Sequence, residues 1–177
     1  MNSLTLLRGE IRRDRVVWDV FVDSPDKAFR DFVWLTLDDP KGWRSRGYRF
    51  QRSSSAERAD VTVKLVMPVP CDGIDPDLNC FHALHNTVYV NADRWKHGSD
   101  TYTGSLQQYR QYVINHEIGH ALGRDHVPLG QCDPEGHARV MSQQTRGLHG
   151  CKPKSVPHAL DGGPRKRLAL LMRDFFS

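Results

Sequence analysis

The chain has 177 residues and four cysteines, carries a formal charge of +4 with a sequence pI near 9.0, and is 38% hydrophobic and 9% aromatic. That length suits one domain with a real core. The mild positive charge lacks the clustered stripe of a nucleic-acid reader, and no apolar run approaches the ~20 residues of a membrane-spanning helix, so neither nucleic acid nor a transmembrane segment is expected.

Residues 1–14 read as an N-terminal extension. Leu4 to Leu7 is short for the apolar core of an export signal, and Arg8, Glu10, Arg12 and Arg13 follow it rather than precede it, so no signal peptide is expected. Arg15 to Asp23 is rich in β-branched and aromatic residues and reads as a strand. Ser24-Pro25 starts a helix, serine as its cap and proline in its first turn, with Phe29, Phe32, Val33, Thr36 and Leu37 recurring at helical spacing. Asp38-Asp39-Pro40-Lys41-Gly42 ends it. A strand around Tyr48 to Arg52, a polar loop at Ser53 to Ser55, and a clearer strand at Asp60 to Met67 follow, the last with Val61, Val63 and Leu65 on one face.

Pro68 to Asn79 is a loop by composition, Thr87 to Asn91 is the next strand, and Trp95 sits in a loop as a core anchor. Ser105-Leu106-Gln107-Gln108 resembles a capping box and opens a helix over Leu106 to Leu122. Ile114, Ile118 and Leu122 form its buried face; Tyr109, Val113, His116 and His120 share the opposite one. Asp161-Gly162-Gly163-Pro164 reads as a linker to a basic amphipathic helix bearing Leu168, Leu171, Met172 and Phe175. Such a helix can pack on the domain, lie on a membrane surface or dock on a partner. The division is therefore 1–14, 15–160 and 161–177. Strands with helices packed on them predict a mixed α/β (α+β) fold.

Cys71 and Cys80 bracket a short loop, and Cys132 and Cys151 bracket a longer one. An even count with this local bracketing suggests Cys71 with Cys80 and Cys132 with Cys151, although four cysteines allow three pairings. Paired cysteines favour an extracellular or other oxidising compartment. His82 and His85 stand three apart near Cys80, but no fourth partner for a second metal is evident.

The run His116-Glu117-Ile118-Gly119-His120-Ala121-Leu122-Gly123-Arg124-Asp125-His126 holds the chemistry. A helical residue advances ~100°, so His116 and His120 lie one turn apart and reach one metal ion, while Glu117 falls beside them where a general base is wanted. Three imidazoles and an open position suit a catalytic zinc, whereas structural zinc closes its shell with four protein ligands. Gly123 supplies the left-handed residue that ends the helix, and His126 returns as the third ligand.

This pattern resembles the zinc signature of the metzincin clan of metallopeptidases. That clan has a methionine turn beneath the metal, and Met141 in Val140-Met141-Ser142 is its candidate, with Cys132 to Cys151 bracing the turn. The runs Tyr109 to Glu117 and Val140 to Thr145 are also similar to a family of small bacterial metzincin-like domains, mostly secreted and without a settled role, from about residue 15 to about residue 157. The resemblance implies a small mixed twisted sheet with a backing helix, an active-site helix, and a short C-terminal subdomain holding the turn. It also implies an upper-rim strand beside extended substrate, for which Asp60 to Met67 and Thr87 to Asn91 are both candidates. Some metzincins have a tyrosine two residues after the methionine, where this chain has Gln143.

The expected activity is peptide-bond hydrolysis by a monomer, with Zn2+ held by His116, His120 and His126 and Glu117 as the base, acting on a peptide or protein substrate. A zinc amidase on a small or cell-wall substrate could use the same constellation. A non-catalytic zinc-stabilised binding module is the third reading, and it has no physical need of Glu117.

Overall fold

A computed structural model describes residues 15–163. The proposed N-terminal extension and C-terminal amphipathic helix lie outside the described residues. The fold is mixed α/β. Five strands, β1 (Val17–Asp23), β2 (Arg49–Arg52), β3 (Val61–Val66), β4 (Cys80–His82) and β5 (Thr87–Asn91), form one sheet in the order β2-β1-β3-β5-β4. β2, β1, β3 and β5 run parallel, and β4 pairs antiparallel with β5.

Alternation along the strands sets one face of the sheet against the core. Register matches Val20 with Val61, Val22 with Val63, and Val63 with Val88, so these side chains form one apolar layer, all of it buried. Helix α1 (Lys27–Asp38) contributes Phe29, Val33 and Leu37 to this core, and the long helix α3 (Leu106–Ala121) contributes Ile114 and Ile118.

α1 starts two residues later than Ser24-Pro25 suggests. Asp26 is the cap, its carboxylate accepting from the Phe29 N–H at 3.1 Å, while Ser24 Oγ accepts from the Asp26 N–H at 3.2 Å. Both oxygens are N-cap types, and the one nearer the apolar periodicity closes the first turn. Trp95 lies in a short helix, α2 (Ala92–His97), rather than in a loop, because Asn91 caps it by accepting from the N–H groups of Asp93 and Arg94. Trp95 does anchor the core, edge-on to Phe29 at 4.8 Å and to Phe32 at 5.3 Å.

Neither expected rim strand lies at the edge. β3 sits between β1 and β5, and β5 is covered by β4, so the two edges belong to β2 and to the three-residue strand β4 that composition hid. Asp161 to Gly163 also do not stand off the body as a linker. Asp161 is buried against Arg139 at 2.9 Å, and the Gly163 carbonyl accepts from Arg124. Cys71–Cys80 and Cys132–Cys151 are the disulfides, and such pairs suit an oxidising environment. No described helix is long and apolar enough to cross a membrane.

Candidate metal centre

The site is built on α3, which begins with a complete capping box. Ser105 Oγ accepts from the Gln108 N–H at 3.1 Å, and Gln108 Oε1 accepts from the Ser105 N–H at 2.9 Å. Most of its second half is buried, polar residues included: Asn115, His116 and Glu117 are inside with Ile114 and Ile118. A helix submerged on nearly all sides needs partners for those polar groups, and the loop from residue 127 to 155 supplies many of them.

The helix ends in a Schellman motif. The Gly123 N–H donates to His120 O and the Arg124 N–H to Gly119 O, both at 2.9 Å, with Gly123 at φ +78°. A Cβ at this φ would be strained, and the turn has a chemical consequence. It points the Arg124 carbonyl back at His120, whose Nδ1 donates to it at 2.8 Å. His116 Nδ1 donates in the same way to Val140 O at 2.8 Å.

A carbonyl can only accept, so these two bonds fix the proton of each neutral ring on Nδ1 and leave a lone pair on Nε2. The Nε2 atoms of His116 and His120 are 3.3 Å apart, and His126 Nε2 lies 3.3 Å from the first and 3.0 Å from the second. Nitrogen lone pairs facing each other repel unless a cation lies between them. Tetrahedral coordination at ~2.0–2.1 Å would place its nitrogens roughly 3.3 Å apart, so the three imidazoles fit zinc in number, ligand type and spacing. The trio could hold a metal ion. Burial, with the neighbouring imidazoles and against the Val140 carbonyl, pushes the His116 pKa down to about 3, which keeps it a neutral ligand. Burial also lowers His120 and His126, and the Arg146 guanidinium lowers His126 further.

Glu117 is buried beside the trio, and its Oε2 has no hydrogen-bond partner in the structure. Burial pushes its pKa up to about 8, so the carboxyl holds a proton at neutral pH; a cation on the imidazoles would favour the carboxylate. Met141 is buried beneath the helix. A Cβ built at Gly119 would overlap its Sδ and stand 2.9 Å from Trp43 Cζ2, so glycine is what permits this approach. The same segment ties itself to the site twice more, since Val140 O holds His116 and Met141 O accepts from the Val127 N–H at 3.0 Å.

The four residues open onto different depths of one cleft of about 790 Å³. His116 and Glu117 lie in its floor and His126 at its exposed side, with the loop from Gly73 to Asn79 and strand β4 as one wall and Gln143, Thr145 and Arg146 as another. Met141 and Gly119 are behind the floor. His82 and His85 stack on each other at 4.1 Å, apart from the trio. Asp133, Glu135 and His158 form a second group of possible ligands, but the Lys154 ammonium occupies it, 2.5 Å from Asp133 and 3.7 Å from Glu135. Sequence reasoning missed Arg124 and Arg146. The first follows the helix-ending glycine, where a returning carbonyl is the expected product of the turn; nothing in the sequence marks the second.

A family described as "Protein of unknown function (DUF3152)" matches residues 19–157. The chain belongs to this family. No curated protein matches it. Among solved structures, the DUF3152 chain is similar to one titled "Structure of myroilysin", at 17% identity and a TM-score of 0.41, over 62% of this chain and 48% of that one. The chain thus spans about half the length of that structure.

Proposed function

We propose that this DUF3152 chain is a zinc-dependent endopeptidase of the metzincin type, with residues 15–160 as its catalytic unit. His116, His120 and His126 are the zinc ligands, Glu117 is the general base, Met141 is the methionine turn and Gly123 ends the active helix. The observation that carries this reading is the convergence of Nε2 atoms, two of them fixed as lone-pair donors, beside a buried carboxyl on the floor of an open cleft. Zinc bound there would supply Lewis acidity to a scissile carbonyl and to an attacking water.

The chain's own groups supply the rest. Val140 and Arg124 hold two imidazoles in one tautomer and orientation, and the protein around Glu117 keeps bulk water from its carboxyl. Glu117 takes a proton from the water and passes it to the leaving amine. β4 is an edge strand of the sheet on the cleft wall, where unpaired main-chain groups can pair with an extended peptide. The chain works as a monomer in an oxidising, extracellular setting, consistent with its two disulfides.

The test measures metal content and casein cleavage for the native sequence and for Glu117→Gln. We expect one zinc per chain in both and cleavage in the native protein alone. Cleavage retained by Glu117→Gln would remove the base assignment. Zinc with turnover of cell-wall amides, but of no polypeptide, would move the reading to an amidase.

A further inference from the structure

We propose that Arg146 makes the cleft selective for a substrate with an acidic side chain next to the scissile bond, an inference that rests on the peptidase reading. Arg146 lines the same cleft as His126 and Glu117. Its side chain is exposed and makes no ion pair or hydrogen bond among the described residues.

Its backbone, by contrast, is fixed. Residues 144–146 form a short 3-10 turn in which the Arg146 N–H donates to Gln143 O at 2.8 Å. The Gln144 N–H donates to Tyr112 Oη at 3.0 Å and Gln144 Nε2 to Lys154 O at 2.8 Å, while Thr101 Oγ1 donates to Thr145 O at 2.7 Å. A cation rooted in so rigid a turn, and paired with no carboxylate among the described residues, is prepared to meet an anion.

The other charges around the cleft do not duplicate it. Arg124 is engaged, donating to Tyr48 Oη at 2.7 Å and to the Gly163 carbonyl. Asp125 stands next to the His126 ligand and has interactions of its own. Asp75 also lines the cleft, on the loop of residues 73–79, its carboxylate accepting from the Asp77 N–H at 3.0 Å. The cleft therefore carries a carboxylate at Asp75, on one chain segment, and a cation without an ion-pair partner among the described residues at Arg146, on another. A substrate carboxylate is attracted at the second and repelled at the first, which fixes the side on which it lies.

The test uses C-terminally amidated peptide mixtures, digested by zinc-loaded native protein, Arg146→Gln and Arg146→Glu, with cleavage sites read by mass spectrometry. Native protein should favour Asp or Glu over Lys or Arg at one position flanking the cleaved bond by on the order of tenfold. Arg146→Gln should flatten that preference, and Arg146→Glu should invert it. The same mixtures are offered to Glu117→Gln protein, alone and combined with Arg146→Glu, and binding is followed by fluorescence anisotropy, so selectivity is read without turnover. Absence of cleavage with acid-selective binding that inverts on Arg146→Glu would reject the peptidase reading, and with it the scissile bond, while leaving Arg146 as the cleft's anchor for an acidic side chain. An identical profile in native and Arg146→Glu protein would overturn it, as would equal binding of acidic and basic peptides. A preference that appears only with free C-termini would overturn it as well, because the anion recognised would then be the terminal carboxylate.

Discussion

Gly119→Ala sets two magnitudes against each other. Alanine is favoured over glycine in a helix interior by about 1 kcal/mol, and Gly119 lies inside α3, so propensity alone predicts a more stable protein. Packing predicts the opposite. The added Cβ overlaps Met141 Sδ and lies 3.1 Å from Met141 Cε and 2.9 Å from Trp43 Cζ2. Both neighbours are 1% exposed, so neither can swing into solvent, and Trp43 is held by its Nε1 donating to Asn115 O at 2.8 Å. Overpacking of this kind costs about 1–3 kcal/mol and sometimes more, which exceeds the propensity gain. A clash with two buried side chains belongs in the upper part of that range, about 2–3 kcal/mol, so after the ~1 kcal/mol gain in propensity we expect a net loss of about 1–2 kcal/mol, a fall in Tm of roughly 2–8 °C for a domain of this size. Urea and thermal melts in the presence of a chelator isolate this effect from metal binding. A double-mutant cycle with Met141→Ala names the neighbour responsible: the two changes together should cost at least ~0.5 kcal/mol less than their sum. A Gly119→Ala protein as stable as the native one, or strict additivity in the cycle, would refute the account of why glycine stands there.

Asp133 is a source of acid sensitivity away from the cleft. Burial opposes its ionisation, but the Lys154 ammonium and the N–H groups of His137 and Glu135 outweigh burial and hold its pKa down at about 2, against an ordinary 3.8. A depressed carboxyl stabilises the fold above its unfolded pKa and loses that contribution as pH falls through its folded pKa. About 2 kcal/mol should thus disappear between roughly pH 4 and pH 2, and urea melts of Asp133→Asn should lack that slope. Tyr112→Phe should cost about 0.5–1.5 kcal/mol, because the buried hydroxyl donates to Ser142 O and accepts from the Gln144 N–H, each at 3.0 Å, and without it those two groups keep only their bond to each other at 2.8 Å. Amide exchange at Gln144 should rise in that variant; unchanged protection would show that the hydroxyl does not hold the loop.

The parts legible in the sequence are those governed by local rules. The capping box at Ser105 and Gln108, the glycine turn at 123, and strands such as Thr87–Asn91 follow from spacing and propensity within a few residues. Both disulfides follow from bracketing. β4 was illegible because three residues, Cys80-Phe81-His82, carry no alternation, and they are a strand only because β5 offers them an edge. Trp95 misled for the related reason that the cap of its helix is the last residue of a strand, Asn91. In the site, the identity of the three imidazoles could be read from their spacing, but their tautomers could not. That of His116 depends on Val140, 24 residues away, and that of His120 on the Arg124 carbonyl that the turn at Gly123 returns.

That dependence says where the affinity of such a centre resides. A helix with histidines at i and i+4 leaves each ring free to turn and to carry its proton on either nitrogen, so an isolated helix would have to select both before binding. Here one selection is made by the turn that Gly123 permits and the other by the turn through Val140, and neither carbonyl belongs to the helix. Met141, lying between the carbonyl that holds His116 and the one that holds Val127, is wedged against Gly119 on the helix itself. The loop and the helix therefore fix one another: the helix can approach the loop only at a glycine, and the loop in return orients a ring on the helix. The energy that brings the lone pairs together is drawn from this packing, so substitutions at Gly119, Tyr112 or Val140 should weaken metal binding without touching any ligand.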